Sequence, residues 1–156
     1  MTDHLPLDGV RIIEICNVAA GPFCGMLLAD MGADVIKLEH PEGGDTLRAW
    51  PPLSDGFSEN FAALNRNKRS VTLNLKVAAD RDVARALMSE ADVVIENNRP
   101  GVMDRLGLGY AALKEINPDY LMPAHCVGEP FYDMVRREMP GKVFQSNVGT
   151  RYTFIA

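Results

Sequence analysis

The chain has 156 residues, enough for one domain with a usable core. Hydrophobic residues make up 47% and charged residues 24%, an ordinary globular balance, and the formal net charge of -5 argues against general nucleic-acid binding. No apolar run approaches the ~20 residues of a membrane helix, and the N-terminus MTDHLPLDGV lacks the basic and apolar regions of a secretory signal.

Residues 11–16 (RIIEIC) are short, β-branched and apolar, and predict a strand. Residues 20–31 (AGPFCGMLLADM) carry Phe23, Met26, Leu27 and Met31 at helical spacing. Pro22 fits the first turn of that helix and Gly32 is the expected stop. Residues 34–39 (DVIKLE) predict a second strand, so the three pieces form one β-α-β unit with a parallel strand pair. Residues 41–56 are rich in Gly and Pro and are read as loop. A helical turn is expected at 61–64. Residues 70–76 alternate, with Val71, Leu73 and Leu75 pointing one way, which predicts a half-exposed edge strand.

Residues 80–90 predict a helix with Val83, Ala86 and Leu87 facing inward, and 92–96 (DVVIE) a buried strand. Two short helices follow at 101–106 and 110–116, parted by Gly107 and Gly109, and Asn117-Pro118 ends the second. A further strand is expected at 120–122 and a helix at 133–139; 143–156 is β-rich. The fold expected is an open, doubly wound, Rossmann-like α/β domain with a parallel sheet.

The chemistry-bearing motifs are mostly missing. The turn NVAAGPFCG lacks G-x-G-x-x-G, so Glu39 at the end of the second strand does not make a dinucleotide fingerprint. His4, His40 and His125 have no metal-ligand spacing, and no metal site is expected. Cys16, Cys24 and Cys126 have no C-x-x-C spacing and read as buried or partly buried thiols of a reducing cytoplasm. One charge pattern is unusual. In NRNKRSVTLNLK, Arg66, Lys68, Arg69 and Lys76 gather with no acid among them. In an acidic chain, any anion site they serve must be local.

Three segments read together identify a family. LDGVRIIEICNVAAGPFCGMLLADMGADVIKLEHPEGGDTLR, NRNKRSVTLNLK and ADVVIENNRPGVMDRLGLGYAALKEINP resemble, in order and spacing, signatures of family III CoA-transferases. That group includes formyl-CoA and carnitine CoA-transferases and 2-methylacyl-CoA racemases. The resemblance is near-continuous over residues 7–118. It implies a two-domain protein whose two subunits thread through each other as interlocked rings. Residues 1–122 then correspond to the Rossmann-like, CoA-binding part of the large domain, and 123–156 form an atypical C-terminal segment. The chain is truncated relative to that fold, and a homodimer or association with a complementary chain is expected.

The resemblance also implies a binding site for coenzyme A or acyl-CoA as substrate, with a carboxylic acid as acceptor and no tightly bound cofactor. Val18, Ala19 and Ala20 match positions that approach CoA. His40 stands where many members have an arginine that contacts the nucleotide, and a neutral imidazole weakens that contact. Leu73, Asn74, Leu75 and Lys76 match a strand lining the adenine and phosphate region. Asn97, Asn98 and Arg99 match the loop after DVVIE, and Arg105 a phosphate-contacting arginine. Fixed cations can stabilise the CoA phosphates through charge-assisted hydrogen bonds of roughly 1.5–3 kcal/mol each. Lys76 and Arg105 are favoured for that role; Arg66 is read as a solvated surface charge.

Family members attack the thioester with an aspartate carboxylate, giving an anhydride and then an aspartyl-CoA thioester. EPFYDMVRREMPG resembles the segment that precedes that aspartate, with Tyr132 and Asp133 aligned, but no counterpart of the nucleophile is found up to Ala156. Asp133 reads equally well as a helix cap. Tyr132 favours the transferase branch over the racemase branch, where a histidine base is usual. The expectation is therefore an incomplete CoA-binding portion of a CoA-transferase. The alternatives are a racemase or a non-catalytic CoA-binding or assembly fragment.

Overall fold

The computed structural model describes residues 4–99, 101–116 and 129–142. The strand predicted at 120–122, the tail after 142, and His125 and Cys126 lie outside them.

Strand β1 (Arg11–Ile15) is central. Helix α1 (Ala20–Asp30) follows it, and strand β2 (Asp34–Glu39) returns parallel to β1 with Ile13 opposite Ile36 and Glu14 opposite Lys37. The segment read as loop holds a 3-10 turn, Thr46–Ala49, and a two-residue strand, β3 (Leu53–Ser54), that pairs antiparallel with β4 (Phe57–Ser58) just beyond it. Ser58 then caps helix α2 (Glu59–Asn65), its hydroxyl accepting from the N–H of Phe61.

Strand β5 (Lys68–Thr72) pairs parallel with β2 and forms one edge of the described sheet. The edge position agrees with the alternating pattern, but the strand is displaced toward the N-terminus of the segment. It ends at Thr72; Leu73 keeps a last bond to the end of β2, and Asn74, Leu75 and Lys76 leave the sheet. Helix α3 (Ala78–Ser89) leads to strand β6 (Val93–Glu96), which pairs parallel with the other side of β1. Helices α4 (Val102–Arg105), α5 (Tyr110–Ile116) and α6 (Glu129–Glu138) complete the described elements. Helix α6 begins four residues before the expected start, so Asp133 lies inside it and is not its cap. Among the described residues no helix is long and apolar enough to cross a membrane.

The four-stranded sheet has the order β5-β2-β1-β6 and is parallel throughout. Period-2 alternation then sorts its side chains. Ile13, Ile15, Ile36 and Leu38 share a core with Leu73, Ala84, Met88 and Leu108. Ile12 and Val35 face the opposite way and pack with Ala29 and Ala33. Helices α3 and α1 thus cover opposite faces, as a doubly wound sheet requires. Strand β6 is half-buried rather than buried, because it has only one neighbour strand in the described sheet.

Two helices turn a different face inward from the one their large apolar residues suggest. In α3, Ala84 and Met88 are buried and Leu87 packs against the core, while Val83 and Ala86 are exposed. In α1, Gly21, Pro22, Gly25, Met26 and Ala29 are buried, while Phe23, Leu27 and Met31 are exposed. The reason lies beneath α1. A Cβ on Gly21 would sit 2.4 Å from the Cys16 sulfur, and one on Gly25 1.9 Å from Glu14 Oε2. The helix lies too close to the sheet for any side chain there.

Candidate functional site

In a parallel sheet, ligands bind beyond the carboxyl ends of the strands, where the strand order reverses. Here the order reverses between β1 and β6. The loops after these two strands carry Val18, Ala19 and Ala20 on one side and Asn97, Asn98 and Arg99 on the other.

Side chains tie the two loops together. Asn97 Nδ2 donates to the Asn17 carbonyl (2.9 Å), and Asn97 Oδ1 accepts from the Asn17 N–H (3.1 Å). Asn98 Nδ2 donates to the Ile15 carbonyl (3.1 Å), and its N–H donates to Glu96. Both asparagines therefore shape the edge rather than reach outward. Val18 takes a left-handed conformation, φ 58°. A β-branched residue there is a genuine outlier. Its N–H donates to Asp45 Oδ1 at 3.1 Å.

The remaining expected residues sit beside the ends of β2 and β5. His40 is exposed, and its Nδ1 accepts from the Glu42 N–H in a local turn. Leu73 is buried in the core and its N–H donates to the Glu39 carbonyl. Asn74 Oδ1 accepts from the Lys76 N–H, and the Asn74 N–H donates to Asp80, so this stretch is a tight turn and not the strand expected. Leu75 packs against the core. Lys76, Arg99 and Arg105 are exposed and have no ion pair among the described residues. The Tyr132 side chain lies outside the described residues. A shallow groove lined by Arg85, Ala86, Ser89, Ala112 and Glu115 contains none of the expected site residues.

The bases that open NRNKRSVTLNLK are committed to acids. Arg66 pairs with Asp30, Arg69 with Asp34 and Lys68 with Glu14. Of the four, Lys76 is the one with no ion pair among the described residues.

Below the edge lies an arrangement that the sequence analysis missed. Lys37 Nζ lies 2.8 Å from Glu14 Oε1, 2.8 Å from the Cys16 carbonyl and 2.9 Å from Asp45 Oδ2. Lys68 Nζ lies 2.8 Å from Glu14 Oε2, 2.8 Å from the Pro22 carbonyl and 3.0 Å from Asn65 Oδ1. All four side chains are at most 2% exposed. Glu14 Oε2 and Asp45 Oδ2 take no well-aligned hydrogen bond, so the adjacent ammonium groups supply their compensation. Two cations and two anions cancel, which is the condition for burying them. The signal was present in the sequence: a charge interrupts each apolar strand, Glu14 in RIIEI and Lys37 in DVIKLE.

Electrostatics follows from this packing. Burial works against the charge on Lys37, but Glu14 and Asp45 outweigh it and raise its pKa. Burial wins at Lys68 and lowers its pKa. Burial, then the Glu14 carboxylate, pushes the Cys16 thiol far up, so Cys16 is no nucleophile. Burial also opposes ionisation of Glu39. Arg48, the Ser70 hydroxyl and the Asp45 N–H together overcome it and hold Glu39 down to about 2. Glu39 is thus a buried anchor for Arg48 and the 45–49 turn, and its side chain is already engaged.

Known proteins resemble this chain in sequence and fold. Residues 7–125 match the model of CoA-transferase family III. The succinyl-CoA:mesaconate CoA-transferase of Haloarcula marismortui is 41% identical over 152 residues, covering 86% of this chain and 38% of that protein. The succinyl-CoA–L-malate CoA-transferase beta subunit of Chloroflexus aurantiacus is 46% identical over 122 residues, covering 78% of this chain and 30% of its own. The crystal structure of a CAIB/BAIF family protein from Brucella suis superposes with a TM-score of 0.72 at 39% identity, covering 89% of this chain and 40% of that one. The chain thus spans less than half the length of the relatives it matches. It belongs to CoA-transferase family III.

Proposed function

We propose that the carboxyl edge of this sheet binds coenzyme A as part of a CoA-transferase, moving CoA between an acyl-CoA thioester and a carboxylic acid. The observation that carries the reading is the meeting of the loops after β1 and β6, joined through Asn17 and Asn97, at the point where the strand order reverses. Lys76, Arg99 and Arg105 are exposed cations without ion-pair partners among the described residues, and are offered as the phosphate contacts. The relatives' activities support transfer over racemisation, since those quoted are named as CoA-transferases.

Residues 1–122 form the CoA-binding part in this reading, and 123–156 a separate segment. No residue here is assigned as the nucleophilic aspartate. The first enzymatic step forms an acyl-aspartyl anhydride and releases CoA thiolate. The thiolate then attacks the aspartyl carbonyl and releases the donor acid. An acceptor carboxylate takes over by the reverse sequence.

Calorimetric titration of the chain with CoA tests the binding claim. Saturable binding that weakens with added salt is expected. No heat at millimolar CoA would overturn it. Acyl transfer by these 156 residues alone would instead place a nucleophile among them.

A further inference from the structure

The buried charges hold the backbone at the ligand edge through the Cys16 and Pro22 carbonyls and, between them, the Val18 N–H. Val18 has φ 58°, which strains a β-branched residue. Asn97 secures Asn17, the residue before, through both its N–H and its carbonyl. It leaves the Val18 N–H to Asp45 Oδ1, at 3.1 Å. Asp45 is itself fixed on every side. Its other oxygen is 2.9 Å from Lys37 Nζ, its Oδ1 also accepts from the Leu47 N–H, and its own N–H donates to Glu39. Its side chain is fully buried.

A charged acceptor on one N–H and the strain of one left-handed residue are energies of the same order. Asp45 therefore decides whether Val18 stays left-handed. Without it, Val18 relaxes to negative φ, and the peptide planes between Asn17 and the start of α1 rotate. That turn is one wall of the edge.

We propose that Asp45 is a positioning residue, which holds the Val18 turn in the shape that receives the ligand. The claim rests on the reading of this edge as a CoA site. Asp45 touches no ligand in it; Asp45 acts through Val18, and Lys37 and Glu14 hold Asp45.

The test uses glycine, which occupies the left-handed region without strain. Asp45→Ala is made in the natural chain and in the Val18→Gly background, and CoA affinity is measured by calorimetry. A loss of at least tenfold is expected with Val18 present, and of threefold or less with Val18→Gly. An equal loss in both backgrounds would mean that Asp45 only stabilises the fold, and would overturn the proposal. If Asp45→Ala does not fold, Asp45→Asn makes the same comparison. Its neutral acceptor should cost about threefold with Val18 and nothing with Val18→Gly, and equal losses again refute. Amide hydrogen exchange, read by NMR without ligand, separates this claim from the CoA reading. The Val18 amide should exchange at least tenfold faster in Asp45→Ala or Asp45→Asn, while Ile13 is unchanged. An unaltered Val18 amide overturns the positioning role. Failure of the natural chain to bind CoA overturns the functional reading, and the exchange result then decides the positioning of the turn alone.

Discussion

Replacing Gly25 by alanine should destabilise the protein, against the usual sign for a helix interior. Gly25 lies in mid-helix in α1. Alanine there normally gains about 1 kcal/mol from helix propensity. The added methyl, however, would sit 1.9 Å from Glu14 Oε2 and 3.3 Å from Lys68 Cε. A flexible carboxylate could swing aside, but this one cannot do so freely. It is fully buried, with each oxygen 2.8 Å from a lysine ammonium. Two responses remain. The carboxylate leaves a buried ion pair, which costs roughly 3–5 kcal/mol. Or α1 lifts from the sheet and loses packing at Met26 and Ala29, which costs roughly 1–3 kcal/mol and more for a large shift. The cheaper response, lifting α1, sets the cost, at the upper end of its range because the contact is 1.9 Å; after the propensity gain a net loss of about 1–2 kcal/mol is expected, so Tm should fall by roughly 2–8 °C for a chain of this size. Thermal unfolding followed by circular dichroism measures it. A Gly25→Ala protein with unchanged or raised Tm would refute the claim that α1 docks against a rigid charged floor.

Glu39 sets the acid limb of stability. Its folded pKa, about 2, is below its ordinary 4.5, so its contribution is fully present above pH 4.5 and is lost as pH falls toward 2; at ~1.4 kcal/mol per pKa unit this amounts to roughly 3 kcal/mol. Glu39→Gln should flatten that part of the curve in urea titrations between pH 2 and 7, and an unchanged acid limb would refute the assignment. Lys37→Met should cost roughly 3–5 kcal/mol by leaving Glu14 and Asp45 undercompensated, whereas Arg66→Ala, at a surface pair with Asp30, should cost at most ~1 kcal/mol. Equal urea midpoints for the two variants would contradict the burial argument. Lys76→Ala should weaken CoA binding roughly tenfold through loss of one charge-assisted contact, and Arg66→Ala by far less. The reverse order in calorimetry would place the phosphates at the wrong end of the segment.

Local patterns carried much of the fold. The β-branched runs at 11–16 and 34–39, the proline and glycine that bracket α1, and the parallel β-α-β arrangement all reappear in the structure. Helix faces were less legible. The inward face of α1 is Gly21, Pro22, Gly25, Met26 and Ala29, because Gly21 lies against Cys16 and Gly25 against Glu14; of the large apolar residues at helical spacing, Met26 is buried as expected, while Phe23, Leu27 and Met31 are exposed. The register of β5 also escaped the pattern. Val71, Leu73 and Leu75 alternate as a strand would, but the backbone of 73–76 turns away to begin α3.

The site divides in the same way. Its family signatures are contiguous in sequence, so the segments at 18–20 and 97–99 could be named for the proposed site before their geometry was known. The two anomalies, a glutamate and a lysine inside apolar strands, stood in the sequence but were passed over there. What they meant was decided by tertiary structure. The parallel register sets Glu14 opposite Lys37, the 3-10 turn brings Asp45 to Lys37, and β5 brings Lys68 to the other side of Glu14. A buried charge is tolerable only when its partners surround it. Those partners come from four separate stretches of chain, so no local pattern could have announced that they meet.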